Sequence, residues 1–169
     1  IIIPIDKNRE KESDKTKQRY ENTEHAQSPI PDIKNYKDGV LKVAVVLPFL
    51  LDSYAPSEQG RMIEYYQGFL MAVEKLKSIG YSFEINTFDS GPQEQSLNDL
   101  LSSGALDNME LIIGAMYPAH NRELAKFALE KNIPLVIPFT NKDNEIFRNP
   151  MVYCVNSLQS YIIPSVVEH

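Results

Sequence analysis

The stretch Met109–Arg122, MELIIGAMYPAHNR, decides how the rest of the chain is read. Leu111, Ile112 and Ile113 form a short unbroken apolar run, as expected of a strand covered on both faces. Gly114 follows, where the backbone turns without a Cβ clash. Pro118 suits the first turn of a helix, because the N–H it lacks would have no intrahelical partner there. The first N–H groups of such a helix point beyond the end of the strand, at a corner able to receive an anionic or hydrogen-bonding ligand.

On the N-terminal side of this unit, Leu41–Leu47 (LKVAVVL) is a near-continuous apolar run stopped by Pro48, the pattern of a central strand in a parallel sheet. Ser57–Ile79 places Met62, Tyr65, Phe69, Val73, Leu76 and Ile79 three and four apart and ends at Gly80, which predicts an amphipathic helix with a glycine stop. Gly68 and Ala72 in that helix predict a close approach to the sheet. Tyr81–Phe88 alternates, with Phe83 and Ile85 on one face and Glu84 and Asn86 on the other, and reads as an edge strand. Asp89–Pro92 is a turn, and Leu97, Leu100 and Leu101 mark a short helix.

On the C-terminal side, a helix through Asn121–Lys131 turns Leu124, Phe127 and Ala128 inward and stops at Asn132. Ile133–Phe139 is a fourth strand, Asn141–Pro150 a polar loop with one helical turn, Met151–Val155 a fifth strand, and Ile162–His169 opens another helix. Strands and helices in this rhythm imply right-handed βαβ crossovers. The expected fold is a three-layer α/β/α sandwich on a parallel sheet of strand order 2-1-3-4-5.

With 169 residues, 43% of them hydrophobic, the chain is long enough for one core, and one folded domain is expected. Residues 1–39 are rich in polar and charged groups and read as a disordered linker, leaving 40–169 as the folded part. Eight basic and eight acidic residues cancel within 1–39, so the net charge of −6 falls on 40–169. A surface of that sign repels phosphate backbones, and nucleic acid is excluded as a partner. No apolar run approaches the ~20 residues that span a bilayer. The chain begins without Met and ends inside an apparent helix, so it reads as a piece of a longer protein, with any export signal outside it. The single Cys154 excludes an internal disulfide and reads as a buried thiol, and the scattered His25, His120 and His169 give no metal site.

In a sheet of this order, ligands sit beyond the carboxyl ends of the strands where the order reverses. That selects the loops 49–57, 89–92, 115–121, 140–143 and 156–160. The turn after the first strand, Leu47-Pro48-Phe49-Leu50-Leu51, lacks the glycines of a dinucleotide site, and no phosphate-binding Walker loop or Gly-x-Ser-x-Gly elbow is present. A phosphoacceptor receiver domain does not fit either, with Ala115, Met116 and Asn156 where it needs other groups. His120 reads as a surface or capping group, and Asp143 and Glu145 as solvated acids. No nucleophile, base and oxyanion donor come together, so the chain is not read as an enzyme and no cofactor is expected.

The order of KVAVVLPF, YYQGFLMAVEKL, ELIIGAMYPAHNRELAKFALEKNIPLVIPFTNKD and MVYCVNSLQSY resembles the first lobe of type I periplasmic-binding-protein domains, the group of the branched-chain amino-acid receptors. It looks like the variant in Bacteroidetes cell-envelope proteins, where the domain follows peptidoglycan-binding LysM repeats and a polar linker. The resemblance implies a non-enzymatic, exported, two-lobed module closing on a small polar ligand, with 40–169 truncated before the second lobe. It places ligand groups after the third and fourth strands, at Ala115–Ala119 and Phe139–Asn141. With the turn residue Asp89, the candidate ligand-binding residues are Asp89, Ala115, Met116, Tyr117, Thr140 and Asn141. Met116-Tyr117-Pro118 depart from the small hydroxyl residues of amino-acid-binding members. The alternative implied by the resemblance is a ligand-free scaffold that contacts envelope proteins.

Overall fold

The computed structural model describes residues 39–139 and 146–156. The expected linker, Thr140 and Asn141, most of the loop after them, and the helix expected at Ile162–His169 lie outside the described residues. Five strands form one parallel sheet: β1 (Val40–Leu47), β2 (Ser82–Asp89), β3 (Leu111–Gly114), β4 (Leu135–Ile137) and β5 (Val152–Cys154), in the order β2-β1-β3-β4-β5. Three α-helices connect them: α1 (Pro56–Ser78), α2 (Asn98–Ser102) and α3 (Pro118–Lys131), with a 3-10 turn at Ile146–Arg148 before β5. Fold class and strand order are as the sequence predicts.

β1 is central, and Val43–Leu47 are all buried. Alternate residues serve different layers, as the two-residue period of a strand requires. Ala44 and Val46 join Leu97, Leu106, Ile112, Leu124 and Leu135 beneath α2 and α3. Val43, Val45 and Leu47 meet Tyr65, Tyr66 and Phe69 of α1 on the other face. α3 ends at Asn132, whose φ of 56° is left-handed and whose N–H returns to the Ala128 and Leu129 carbonyls. α2, only one turn long, is held by a carboxylate from outside: Glu123 of α3 accepts the Leu97 N–H at 2.6 Å.

α1 corrects two expectations. Leu76 and Ile79 are 40% and 60% exposed instead of facing the core. Twenty-three helical residues extend about 34 Å while the eight of β1 extend about 26 Å, so the end of the helix outruns the sheet. Gly68 and Ala72 do not approach the sheet either: both are exposed, and a Cβ on Gly68 would meet nothing within 4 Å. Each comes one residue before an inward-facing side chain, Phe69 and Val73, and so lies about 100° around the helix from it, which turns them toward solvent. Cys154 is half-buried, and burial raises its thiol above the usual range.

Gly114 is where β3 leaves the sheet. Its φ is +145°, and a Cβ there would run into the carbonyl oxygen of Val46 on β1. Both the conformation and the contact demand glycine. We expect Gly114→Ala to destabilise the fold by at least about 3 kcal/mol, read as a lower urea midpoint, since backbone strain and overpacking act together.

Candidate functional site

The crevice lies at the carboxyl ends of β1 and β3, where the connections of the two central strands depart to opposite faces. One wall is the segment after β1. Leu50 is buried and takes a φ of 55°, an unfavourable conformation for a residue with a branched side chain. Asp89, at the end of β2, holds it there. The carboxylate accepts the N–H groups of Leu50 at 3.1 Å, Leu51 at 2.8 Å and Gly91 at 2.9 Å. Gln59 of α1 adds its amide, donating to the carbonyls of Leu50 at 2.7 Å and Ser53 at 3.0 Å. Asp89 therefore joins two loops, with both carboxylate oxygens occupied by backbone donors.

The facing wall is the β3–α3 connection. Ala115 is buried, and its N–H donates to Asn121 Oδ1 at 2.8 Å. Asn121 is itself buried, and its own N–H makes the first helical bond, to the Tyr117 carbonyl. Tyr117 is the N-cap residue of α3, with extended backbone and no side-chain cap, and Pro118 is the first helical residue. The N–H groups of Ala119 and His120 thus have no acceptor within the helix. α1 starts the same way, with Ala55 as an N-cap without a side-chain bond and Pro56 behind it.

Tyr117 links the two helix starts. Its hydroxyl donates to Glu58 Oε2, in the first turn of α1, at 3.4 Å. Burial, then the Glu58 and Glu94 carboxylates, raise the phenol above its usual range, against an opposing effect of Arg61. Arg61 lies 3.9 Å from Glu58, and both side chains are largely exposed. Behind Tyr117, its ring meets His120 edge to face at 5.4 Å. At the β4 end, Tyr65 of α1 packs on Phe139 at 5.0 Å between ring centroids.

His120 is not the surface group expected of it. It is fully buried, and its Nε2 lies 2.6 Å from the Gln95 carbonyl. A carbonyl only accepts, so Nε2 carries the donated proton. The ring ties the β2–α2 loop to α3. Of the six candidate residues, Ala115, Met116 and Tyr117 lie together in the β3–α3 connection, Met116 and Tyr117 half-buried. Asp89 lies on the opposite side of β1, and Thr140 and Asn141 fall outside the described residues. Glu58 and Gln59 were missed. Their signal was Pro56, which starts a helix at the end of the loop chosen as a crevice wall. Among the described residues no group of three metal-ligating side chains comes together.

No family model matches the sequence, and no curated protein does. Solved structures do. A leucine-binding protein, LivK, from Thermotoga maritima aligns with a TM-score of 0.55 at 24% identity, over 72% of this chain and 34% of its own. The branched-chain amino acid transporter substrate-binding protein LivJ from Streptococcus pneumoniae, solved with isoleucine, gives 0.56 at 13% identity, over 72% and 35%. A solute-binding protein of an ABC transporter from R. palustris, solved with benzoate, gives 0.52 at 21%, over 69% and 32%. The chain spans about a third of the length of each.

Substitutions at two residues probe the walls. Asp89→Ala leaves up to three backbone donors unpaired and should lower unfolding free energy by about 2–4 kcal/mol in urea, Asp89→Asn by less because one oxygen acceptor remains. Tyr117 binds its proton more tightly folded than unfolded, so its effect is nil below the ordinary phenol range and becomes a loss of stability as pH rises through and above it. Tyr117→Phe should therefore lose less stability than the parent between neutral pH and about pH 11, measured by urea midpoints. The chain has the fold of one lobe of a type I periplasmic binding protein.

Proposed function

We propose that this chain is one lobe of a non-enzymatic, exported binding module that takes a small polar molecule at the ends of β1 and β3. The observation that carries the reading is the pair of helix starts at that crevice. α1 and α3 both begin there with proline and no side-chain cap, leaving first-turn N–H groups at the site. Acceptor groups of a ligand suit the Ala119 and His120 N–H groups, and a donor suits Glu58. Met116 and Tyr117 would line the pocket, with Thr140 and Asn141 completing it after β4. The neighbours in fold are substrate-binding proteins, one solved with an amino acid and one with an aromatic acid. A second lobe would close the crevice.

The polar composition of 1–39 supports a tether, and in this reading the module hangs from peptidoglycan through LysM repeats, in a Bacteroidetes envelope protein. One observation favours the second reading, a scaffold that contacts envelope proteins and binds no ligand. The Tyr117 hydroxyl already occupies Glu58, so the corner is partly filled from within.

The test is thermal unfolding of the protein carrying both lobes against amino acids, muropeptides, nucleosides and sugars. A ligand at about 100 times its dissociation constant should add roughly 2.7 kcal/mol. Loss of that shift in Tyr117→Ala establishes use of this crevice. The absence of any shift across the panel favours the scaffold.

A further inference from the structure

The outward side of α1 carries a strip that the sheet does not use. Gly60, Glu64, Gly68, Met71, Lys75 and Ile79 recur three and four residues apart and so fall on one side of the helix. Met71 is 74% exposed. A Cβ on Gly60 or Gly68 would meet nothing within 4 Å, so the helix backbone is bare on that side. Glu64 and Lys75 are exposed, and among the described residues neither side chain is in an ion pair.

We propose that this strip is a self-association surface, on which a second copy of the chain lays its own α1 antiparallel across a twofold axis. The charges select the occupant. Glu64 lies in the N-terminal half of α1 and Lys75 in the C-terminal half. Turning the helix end for end about a point between Phe69 and Leu70 sets Glu64 of each copy against Lys75 of the other, giving two ion pairs. The same operation seats Met71 of each copy over Gly68 of the other and brings Ile79 against Gly60. An adaptable thioether thus meets a backbone with no side chain in the way. A parallel arrangement would set Glu64 against Glu64 and Lys75 against Lys75. The strip is therefore complementary to itself in one orientation, which is the requirement of a twofold interface. It uses none of the crevice residues and stands apart from the ligand reading.

Sedimentation equilibrium of the intact chain over a range of concentrations is the test. A monomer–dimer equilibrium is expected. Met71→Glu should weaken it at least about tenfold, since a central contact is lost and a charge buried. Glu64→Lys should weaken it as well, and the double swap Glu64→Lys with Lys75→Glu should restore it to within about threefold of the parent. Far-UV circular dichroism confirms that each variant is folded. A chain that stays monomeric up to about 100 µM overturns the proposal. A dimer indifferent to Met71→Glu, or a double swap no better than the single one, overturns it equally.

Discussion

The meeting of Gly114 with the carbonyl of Val46 is the constraint on which the rest of the molecule depends. β1 and β3 are the two strands from which the sheet is extended in opposite directions, toward β2 on one side and β4 and β5 on the other. Their paired register ends at Val46 and Gly114, and there the two backbones are too close for any side chain. β3 must leave the sheet at that residue. Ala115 then enters the core, its N–H is captured by Asn121, and α3 begins where that capture places it. The position of the crevice is thus set by backbone contact and not by any large side chain.

The loops around the crevice are fixed by polar side chains that collect otherwise unpaired backbone groups. Asp89 takes three N–H groups and Glu123 takes the one that starts α2, while at the opposite end of the sheet Asn149 does the same ahead of β5, joining the Ala125 carbonyl to the Met151 N–H. Each reaches an element distant in sequence and so secures a loop to a neighbour, and Asp89 and Asn149 also close their own turns through Gly91 and Met151. The left-handed conformation of Leu50 persists because Asp89 and Gln59 hold the peptide groups on both sides of it. This is how short connections at strand ends become a rigid rim, the preorganisation that a binding surface needs.

Much of this was legible in the sequence because parallel sheets write themselves in composition. The apolar runs Leu41–Leu47 and Leu111–Ile113, buried on both faces, gave the central strands, and Gly80, Asn132 and Pro118 gave helix limits through their backbone preferences. What stayed hidden depends on length and on partners. Helical spacing told which side of α1 is apolar, but not that the helix is longer than the strand beside it, and so Leu76 and Ile79 were misplaced. Gly68 and Ala72 spoke of close approach without saying to what. The burial of His120 comes from the Gln95 carbonyl, twenty-five residues earlier and without any periodic signal. Asp89 was legible as a turn residue, while its bonds across to Leu50 and Leu51 required knowing that β2 lies beside β1.

The chemical character of the crevice follows from the same topology. Parallel strands bring every connecting helix on the C-terminal side to start at one end of the sheet, which gathers the positive ends of α1 and α3 there. Left alone, such a corner attracts anions. In this chain Glu58 stands in the first turn of α1 and accepts the Tyr117 hydroxyl, so one carboxylate already answers that field from within the lobe. A free anion entering from solvent meets Glu58 as a like charge, with Glu94 acting on Tyr117 from nearby and, among the described residues, Arg61 set against them. On the proposed reading, entry therefore favours a molecule that offers a donor to Glu58 together with an acceptor to α3, over one that offers negative charge alone. The departure from small hydroxyl residues at Met116-Tyr117-Pro118 then has a physical meaning, because Tyr117 couples the two helix starts that a smaller residue would leave independent.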